Sequence, residues 1–245
     1  YIYKSLQRNN DGKLKMKYPG EELELFDKAS IWRKYIYLKT KKYFNGKFLE
    51  IGAGIGSFTK NYESQFQDVL LSDLDDGNNK VLKEKFKNFN NIKITKNKID
   101  EIDGKFNTII YLNVLEHIEN DKKEIALAEN KLEENGHLVI LVPAHQKLYS
   151  KFDKAIGHFK RYEINFFKNN NLNNLKIEKL IFLDFFGYML YYLNNIFFKK
   201  DIYPSKAKIM VWDKIFTPLT IIADFLIGYK SGKNILCVYK KIKSL

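Results

Sequence analysis

A glycine-rich turn near residue 50 is the first feature of the chain that could support chemistry. The segment from Lys47 to Thr59 reads KFLEIGAGIGSFT, an apolar run that ends in Glu50 and is followed by three alternating glycines. Glycine permits positive φ angles and lets a ligand approach the backbone closely. Ser57 stands where a dinucleotide fingerprint has its third glycine, and the Gly-Lys-Ser/Thr ending of a P-loop is absent. The turn therefore suits a nucleoside-bearing ligand without a pyrophosphate.

An acidic residue about twenty positions beyond this turn is a candidate ribose ligand. Asp73 follows the apolar run at 69–72. A carboxylate at such a strand end can accept hydrogen bonds from ribose hydroxyls. Asp75 is the alternative if the strand ends later than predicted.

The glycine turn, this acid and three later segments resemble the motifs of class I S-adenosylmethionine-dependent methyltransferases. The later segments are an Ile-Asp pair at 99–100, the sequence NVLEHI at 113–118 and the apolar strand GHLVILVP at 136–143. Together they follow the family's order across residues 47–142. The resemblance implies S-adenosylmethionine as the cofactor and transfer of its methyl group as the reaction.

The same resemblance implies which residues contact the cofactor. The acid at the strand end would bind the ribose, the pair at 99–100 would contact the adenine, and Asn113 would lie beside the methionine part. The complete set implied for the cofactor site is Glu50, Gly52, Ala53, Gly54, Gly56, Asp73, Leu74, Ile99, Asp100, Asn113 and Val114.

Residues suited to acid–base chemistry or anion binding crowd the stretch after the 136–143 strand, namely His145, Asp153, His158, Arg161 and Tyr162. This stretch resembles a bacterial and archaeal subgroup of the family that is often associated with cell-surface glycan or lipid-linked sugar assembly. An alcohol acceptor must lose a proton, and a positioned histidine is the usual base. His145 follows the strand directly and is the predicted catalytic base, with His158 as the second candidate.

Three residues are candidates for contact with the acceptor, namely His117, Arg161 and Tyr162. The planar fork of Arg161 suits a phosphate or carboxylate group of the acceptor. Alternatively, Arg161 forms an ion pair with Asp153 that ties down the loop. His117 either faces the site or packs against the start of the following helix.

The remaining motifs narrow the chemistry. No group of histidine, cysteine and acidic residues has metal-ligand spacing in the sequence, so no metal is predicted. The Asn/Asp-Pro-Pro-Tyr/Phe motif of base N6-methylases is absent, and Cys237 lies in an apolar run that predicts a core position, not a nucleophile. The predicted acceptor is a small or lipid-linked, glycan-related molecule with a hydroxyl, or less favourably an amine. The alternatives are a nicotinamide-dependent oxidoreductase, which Ser57 disfavours, and a catalytically silent cofactor-binding module.

The charge of the chain does not require a nucleic-acid partner. The formal net charge is +13, but only three of the 42 basic residues are arginine and the lysines are spread along the chain. We therefore expect a solvated lysine surface and no nucleic-acid groove. A single cysteine excludes an internal disulfide and favours a reducing compartment, so a cytoplasmic location is predicted.

Alternating strands and helices must position these residues. Strands are predicted at 48–51, 69–72, 92–95, 106–112, 136–142, 176–186 and 235–241, and helices at 21–44, 57–66, 78–88, 122–132 and 164–171. This alternation predicts a doubly wound α/β fold with a mostly parallel seven-stranded sheet and a helical cap insertion. The predicted divisions are an N-terminal helical segment at 1–46, the cofactor-binding core at 47–186, a cap or lid at 187–231 and the last strand at 232–245.

The insertion at 187–229 is rich in aromatic and apolar residues. Four polar residues fall on one narrow helical stripe, namely Asp213, Thr217, Thr220 and Asp224. Pro218 predicts a kink, and the charged residues argue against a membrane span. Three interpretations compete, which are a lid over the acceptor site, a dimer interface and an amphipathic surface that makes peripheral contact with a membrane.

Overall fold

The computed structural model of the chain describes residues 6–8, 14–16, 21–169, 174–197 and 205–243. Two short antiparallel strands, β1 (Leu6–Arg8) and β2 (Leu14–Met16), pair with each other ahead of the first helix. The sequence predicted only an N-terminal helical segment over 1–46, so this pairing is an addition to the prediction.

Seven further strands form one mixed sheet. They are β3 (Phe48–Ile51), β4 (Val69–Ser72), β5 (Ile92–Thr95), β6 (Phe106–Leu112), β7 (Leu132–Pro143), β8 (Leu175–Leu183) and β9 (Asn234–Lys241). Their order across the sheet is β5-β4-β3-β6-β7-β9-β8. The first five pair in parallel, and β9 is antiparallel to both of its neighbours. The predicted fold class is therefore confirmed.

Helices cover both faces of this sheet. They are α1 (Glu21–Phe26), α2 (Ser30–Thr40), α3 (Asp76–Lys85), α4 (Asp121–Lys131), α5 (Lys151–Ala155), α6 (Ile164–Lys168), α7 (Phe185–Phe197), α8 (Lys206–Val211) and α9 (Thr217–Leu226). A π-helical turn at Trp212–Phe216 joins α8 to α9. Pro218 lies two residues after this turn in a segment that is helical throughout, so the π-helical turn stands at the place where the proline predicted a kink.

Two hydrophobic cores lie on opposite sides of the sheet, because successive strand residues point to opposite faces. One core contains Leu49 and Ile140 and packs against α4 and α6. The other contains Phe48 and Leu141 and packs against α2 and α3. Cys237 is fully buried in the first core, as its apolar run predicted.

The segment 57–66 does not form the predicted helix, because its side chains are bound to a carboxylate beneath it. One short 3-10 turn is the extent of its helical structure. The hydroxyl of Thr59 donates to Glu50 over 2.7 Å, and the hydroxyl of Tyr62 donates to the same oxygen. These bonds anchor the segment in an irregular path against the glycine turn.

The extended segment predicted over 176–186 also ends early, because α7 begins at Phe185. Asp184 takes a left-handed φ of 71°. Its carboxylate accepts the amide of Gly187 over 2.9 Å, as an N-cap residue does. The helix predicted over 21–44 is likewise divided into α1 and α2 by a turn at residues 27–29.

The polar stripe of the α8–α9 segment is buried, and its carboxylates bind the starts of other helices. Asp213 accepts the amides of Ile31 and Trp32, at 3.1 and 2.8 Å, in the first turn of α2. Asp224 accepts the hydroxyl of Tyr35 at 2.9 Å and the backbone amide of Asp184 at 3.0 Å. Helix starts carry unpaired amides and a partial positive charge, so these acids stabilise them.

The opposite side of the same segment is exposed and apolar. We call this surface the apolar ridge, and it consists of Ile215, Leu219, Ile222, Phe225 and Leu226. The exposed fractions of Ile215 and Ile222 are 55% and 59%, and those of Phe225 and Leu226 are 71% and 75%. A surface helix of a globular protein normally shows the reverse arrangement. Within the described ranges, no helix combines the length and apolar character that crossing a bilayer requires.

Replacing Asp213 by alanine tests whether the buried stripe holds the fold together. We expect Asp213→Ala to lower the free energy of unfolding by about 1–3 kcal/mol, because two amides at the start of α2 lose their acceptor. Urea unfolding followed by circular dichroism measures this. Leu219→Ala on the apolar ridge is the matched control and should change stability by less than about 0.5 kcal/mol. Equal effects of the two changes on the free energy of unfolding would show that the buried stripe does not stabilise the fold more than the ridge does.

Candidate active site

The glycine turn lies at the carboxyl edge of the sheet, fixed to the end of the neighbouring strand. The amides of Gly52 and Ala53 donate to the carbonyl of Ser72 over 2.8 and 3.0 Å. In parallel α/β sheets, ligands bind at this edge where the connections diverge to opposite faces. The strand order places that divergence between β3 and β6.

Two of the three glycines lie too close to a neighbouring side chain to carry a β-carbon, and the third is less crowded. A β-carbon on Gly52 would lie 2.4 Å from Val114, and one on Gly56 would lie 2.5 Å from the ring of Phe86. A β-carbon on Gly54 would meet only the side chain of Leu23, at 3.4 Å. Gly54 also has a left-handed φ of 57°. The surface above Gly54 is therefore a cradle that a side chain would fill.

Asp73 lies directly beside this cradle. Its carboxylate accepts the amide of Gly54 over 2.7 Å through one oxygen. The other oxygen accepts the amide of Asp75 over 3.0 Å and the side-chain amide of Asn78 over 3.1 Å. Asp75, the alternative ribose ligand, accepts the backbone amide of Asn78 and caps α3. Leu74 follows Asp73 and leaves 42% of its side chain exposed at the same edge.

The other residues predicted for the cofactor are placed at different depths. Glu50 is buried beneath the turn, where desolvation raises its pKa to about 7 despite the hydrogen bonds from two hydroxyls. Ile99 is buried in the core, while Asp100 is exposed after β5. Asn113 is exposed at the end of β6, with a left-handed φ of 56°. Val114 lies against the glycine turn, as the close approach to Gly52 shows.

Four titratable side chains meet beside Asn113, and we call them the imidazole–carboxylate cluster. They are Glu116, His117, Asp153 and His158. Nδ1 of His158 lies 2.8 Å from an oxygen of Asp153, and its Nε2 lies 3.8 Å from Oε1 of Glu116. The rings of His117 and His158 pack edge to face with centroids 4.6 Å apart. The Asn113 side chain donates to Glu116 over 3.3 Å.

Burial shapes the charges of the two acids in this cluster. Glu116 is completely buried, and desolvation raises its pKa although His158 opposes the shift. Desolvation also disfavours the charge on Asp153. Its hydrogen bond to His158 and the nearby guanidinium of Arg161 outweigh that cost and hold the pKa of Asp153 well below its usual range.

Arg161 forms the ion pair with Asp153 that the sequence left open. Its Nε and Nη2 lie 2.8 and 3.1 Å from the two carboxylate oxygens. The guanidinium also stacks on the ring of Tyr191 at 4.4 Å. Its Nη1 is buried and has no hydrogen-bond partner among the described residues. The ion pair therefore leaves the N–H donors of Nη1 unused.

His145 and Tyr162 form their hydrogen bonds with residues outside the cluster. Nε2 of His145 lies 3.0 Å from the carbonyl of Gly232, and its ring stacks on Phe182 at 5.2 Å. Burial lowers the pKa of His145. The hydroxyl of Tyr162 donates to Leu115 and Asp121, and the side chain is buried. The structure therefore brings together His158 and His117 but places His145 against β8.

Glu116 is the member of this cluster that was not predicted as a functional residue. Its position directly before His117 within the NVLEHI segment was the available signal. The partner segment that carries Asp153 and His158 lies about forty residues further along the chain. It reaches the cluster because the amide of Phe159 donates to the carbonyl of Glu116 over 2.8 Å.

Comparison with known proteins now identifies the family. A family model described as a methyltransferase domain matches residues 24–176. The chain belongs to this methyltransferase family. It is an S-adenosylmethionine-dependent methyltransferase, which confirms the predicted enzyme class and cofactor and selects them over the nicotinamide alternative. No curated protein matches its sequence.

Solved structures share the fold of this methyltransferase at low sequence identity. Coclaurine N-methyltransferase, bound to N-methylheliamine and S-adenosylhomocysteine, is 13% identical with a TM-score of 0.59, covering 86% of this chain and 72% of its own. The N-methyltransferase NodS of Bradyrhizobium japonicum, with S-adenosylhomocysteine, is 12% identical with a TM-score of 0.57, covering 96% and 94%. An S-adenosylmethionine-dependent methyltransferase of Clostridium acetobutylicum is 14% identical with a TM-score of 0.57, covering 91% and 98%.

The residues of this methyltransferase fit its cofactor at the glycine turn. Above Gly54 only the side chain of Leu23 would meet an added β-carbon, and the carboxylate of Asp73 accepts the Gly54 amide, so a nucleoside bound there would have its ribose next to that carboxylate. The exposed side chain of Leu74 offers an apolar contact for a base. We propose these three as the principal cofactor contacts, together with Asn113 for the methionine part.

A methyl group added at Gly54 tests the cradle. We expect Gly54→Ala to weaken binding of S-adenosylhomocysteine by about tenfold or more, because its β-carbon would occupy the ligand's space. Titration calorimetry measures the affinity. Gly104→Ala is the matched control, since Gly104 also has a positive φ, of 85°, and a β-carbon there would meet only Lys47. Unchanged affinity in Gly54→Ala would place the nucleoside elsewhere.

Proposed function

We propose that this methyltransferase transfers the methyl group of S-adenosylmethionine to a hydroxyl of a small or lipid-linked, glycan-related acceptor. The observation that carries this proposal is the imidazole–carboxylate cluster, which lies next to Asn113 at the cofactor edge. Glu116 and Asn113 are joined by a hydrogen bond of 3.3 Å. A buried group that can assist proton loss is needed for an alcohol, whereas a neutral amine attacks before it loses a proton.

The reaction requires little covalent chemistry from the protein. S-adenosylmethionine supplies a methyl group that is already activated by its sulfonium. The acceptor oxygen forms the new bond to the methyl carbon, the carbon–sulfur bond breaks, and its electron pair remains on sulfur. Alignment of the reacting atoms by the surrounding residues can lower the activation free energy by roughly 7–11 kcal/mol. The remaining task is the loss of the hydroxyl proton.

The cluster is organised to assist that loss around His158. Asp153 accepts the Nδ1 proton of His158, which leaves the lone pair on Nε2. Ser150 and Tyr191 also donate to Asp153, at 2.8 and 3.0 Å, so the carboxylate is held from several sides. His145 lacks such an orienting acid at hydrogen-bond distance and already has a backbone partner. We therefore propose His158, the second candidate of the sequence, in place of His145.

An amine acceptor is the second candidate function. It is favoured by the similar structures of coclaurine N-methyltransferase and NodS, which are named as N-methyltransferases. For either acceptor, we propose that His117 and Arg161 contact the substrate. His117 is exposed at the cluster, and Nη1 of Arg161 has no partner among the described residues. Tyr162 supports the site from below through its bond to Leu115.

The apolar ridge supports a lipid-linked acceptor and contact with a membrane surface. Several exposed lysines flank the ridge, namely Lys206, Lys208, Lys214 and Lys230. An apolar helix face edged by lysine is typical of helices that lie in the interface of an anionic bilayer. We propose that the predicted cap at 187–231 docks there and that the chain is cytoplasmic and peripheral.

Substitution of the histidines tests the assignment of the base. We expect His158→Gln to lower kcat at neutral pH by about 100-fold or more, because general acid–base assistance contributes that much. The affinity for S-adenosylhomocysteine should remain, since His158 lies beyond the cofactor contacts. A radiolabelled-methyl screen over lipid-linked sugars, nucleotide sugars and simple alcohols supplies the substrate. Loss of activity in His145→Gln, with activity retained in His158→Gln, would instead identify His145 as the base, as the sequence predicted.

Vesicle flotation tests the ridge. We expect binding to vesicles that contain phosphatidylglycerol and little binding to pure phosphatidylcholine. The double change Ile222→Asp and Phe225→Asp should weaken binding by about tenfold or more, because each buried side chain contributes about 1.5–3 kcal/mol. Val81→Asp is the control, since Val81 is 43% exposed on α3. A dimer in light scattering that the double change dissociates would assign the ridge to a second copy instead.

A further inference from the structure

We infer that Glu116, His117 and His158 form a binding site for one divalent metal ion of the zinc type. Nothing in the spacing of these residues along the chain predicted this, since His158 is about forty positions from the other two. The role of the ion in catalysis rests on the proposed function. The binding of the ion is independent of that function, because the site is built from side chains that are present with or without an acceptor.

The distances between the three side chains suit shared ligation. One ligand atom from each residue lies within 4.8 Å of the other two. Oε1 of Glu116 and Nε2 of His158 are 3.8 Å apart, which is too long for a hydrogen bond. Ligands that each lie about 2.0–2.2 Å from one ion are about 3–4 Å apart. A modest inward movement therefore completes the geometry.

The second shell of the site is already in place. A histidine that binds a metal usually donates its other ring N–H to a carboxylate, which fixes the tautomer. Asp153 accepts from Nδ1 of His158 over 2.8 Å, so Nε2 presents its lone pair toward Glu116. The positive charge of Arg161 is directed at Asp153 by two hydrogen bonds, at 2.8 and 3.1 Å.

Glu116 supplies an independent indication that a cation belongs here. Its Oε2 atom is buried and has no hydrogen-bond partner among the described residues. A buried carboxylate oxygen without a partner is costly, and such atoms are normally bound to a donor or an ion. The charge of Arg161 acts on this carboxylate and opposes the rise in its pKa, but the guanidinium does not hydrogen-bond Oε2. An ion between Glu116 and His158 would satisfy both.

The site is open on one side. His117 and Asn113 are exposed, so an ion held by the three residues would be accessible from the surface. Two histidines and one glutamate form a ligand set that catalytic zinc sites use, with the fourth position left for water or substrate. An acceptor hydroxyl in that position would bind through its oxygen. With the ion bound, Nε2 of His158 would be a ligand and no longer a base, so the ion would take over the role proposed for that ring. The pKa of the hydroxyl would fall, and its proton would leave to water as the oxygen attacks the methyl carbon.

Metal binding can be measured directly on the full chain after removal of any affinity tag. The protein is first dialysed against a chelator and then titrated with zinc chloride by calorimetry, and with cobalt chloride by visible absorption. We expect one ion per chain and a cobalt spectrum of a low-coordinate nitrogen and oxygen site. His117→Gln is the principal variant because its exposed ring makes misfolding improbable, and it should weaken zinc binding by about tenfold or more.

Further variants separate a built site from scattered surface binding. Glu116→Gln and His158→Gln should abolish the cobalt spectrum, and Asp153→Asn should weaken zinc binding by about 10–100-fold. His137→Gln is the matched control, since His137 lies on β7 and contacts Glu178 outside the cluster. Full zinc affinity in His117→Gln, or an equal loss in His137→Gln, would overturn the inference. The absence of a single tight site on the unmodified chain would also overturn it.

The outcome is distinguishable from that of the proposed function. Zinc binding without methyl transfer to any hydroxyl acceptor would leave the metal site standing and remove its catalytic role. Methyl transfer that persists in chelator-treated protein, with no zinc binding, would leave the proposed function standing and overturn the metal site. Inhibition by the chelator that added zinc reverses, together with a loss of activity in His117→Gln, is the result expected if both are right.

Discussion

The parallel pairing of β3 with both β4 and β6 is the constraint on which the site depends. It brings the ends of three strands to one edge, so that the glycine turn, Asp73 and Asn113 lie side by side although they span more than sixty positions of the chain. The close approach of Gly52 to Val114 shows how tightly two of these ends meet. The residues that we propose for cofactor binding and for proton transfer therefore share one edge of the sheet.

Asp153 has a comparable role on the acceptor side. It accepts hydrogen bonds from Arg161, Ser150, Tyr191 and His158, and so joins α5, α7 and the loop that follows α5. A carboxylate with this many donors remains ionised and fixes the ring that it binds. The imidazole–carboxylate cluster is consequently held in place by elements of the predicted cap as well as by the core.

Much of this arrangement was predictable from the sequence, and the exceptions have physical reasons. Short apolar runs that end in glycine, Asp73 or Asn113 predicted the strands and their edge, because burial and turn chemistry are local signals. The path of 57–66 was not predictable, because it depends on Glu50 binding Thr59 and Tyr62 from below. The meeting of His158 with Glu116 depends on the packing of a distant loop, which leaves no periodic trace in the sequence.

The buried carboxylates of α8 and α9 have a consequence for any association that covers the apolar ridge. Asp213 and Asp224 already have hydrogen-bond donors inside the protein. A partner that covers the ridge would therefore displace water from apolar side chains and not from these carboxylates. No internal polar contact has to break, and each square ångström of hydrocarbon removed from water contributes about 25 cal/mol. The two carboxylates of this segment lost their water when the chain folded, so association through the ridge does not have to dehydrate them.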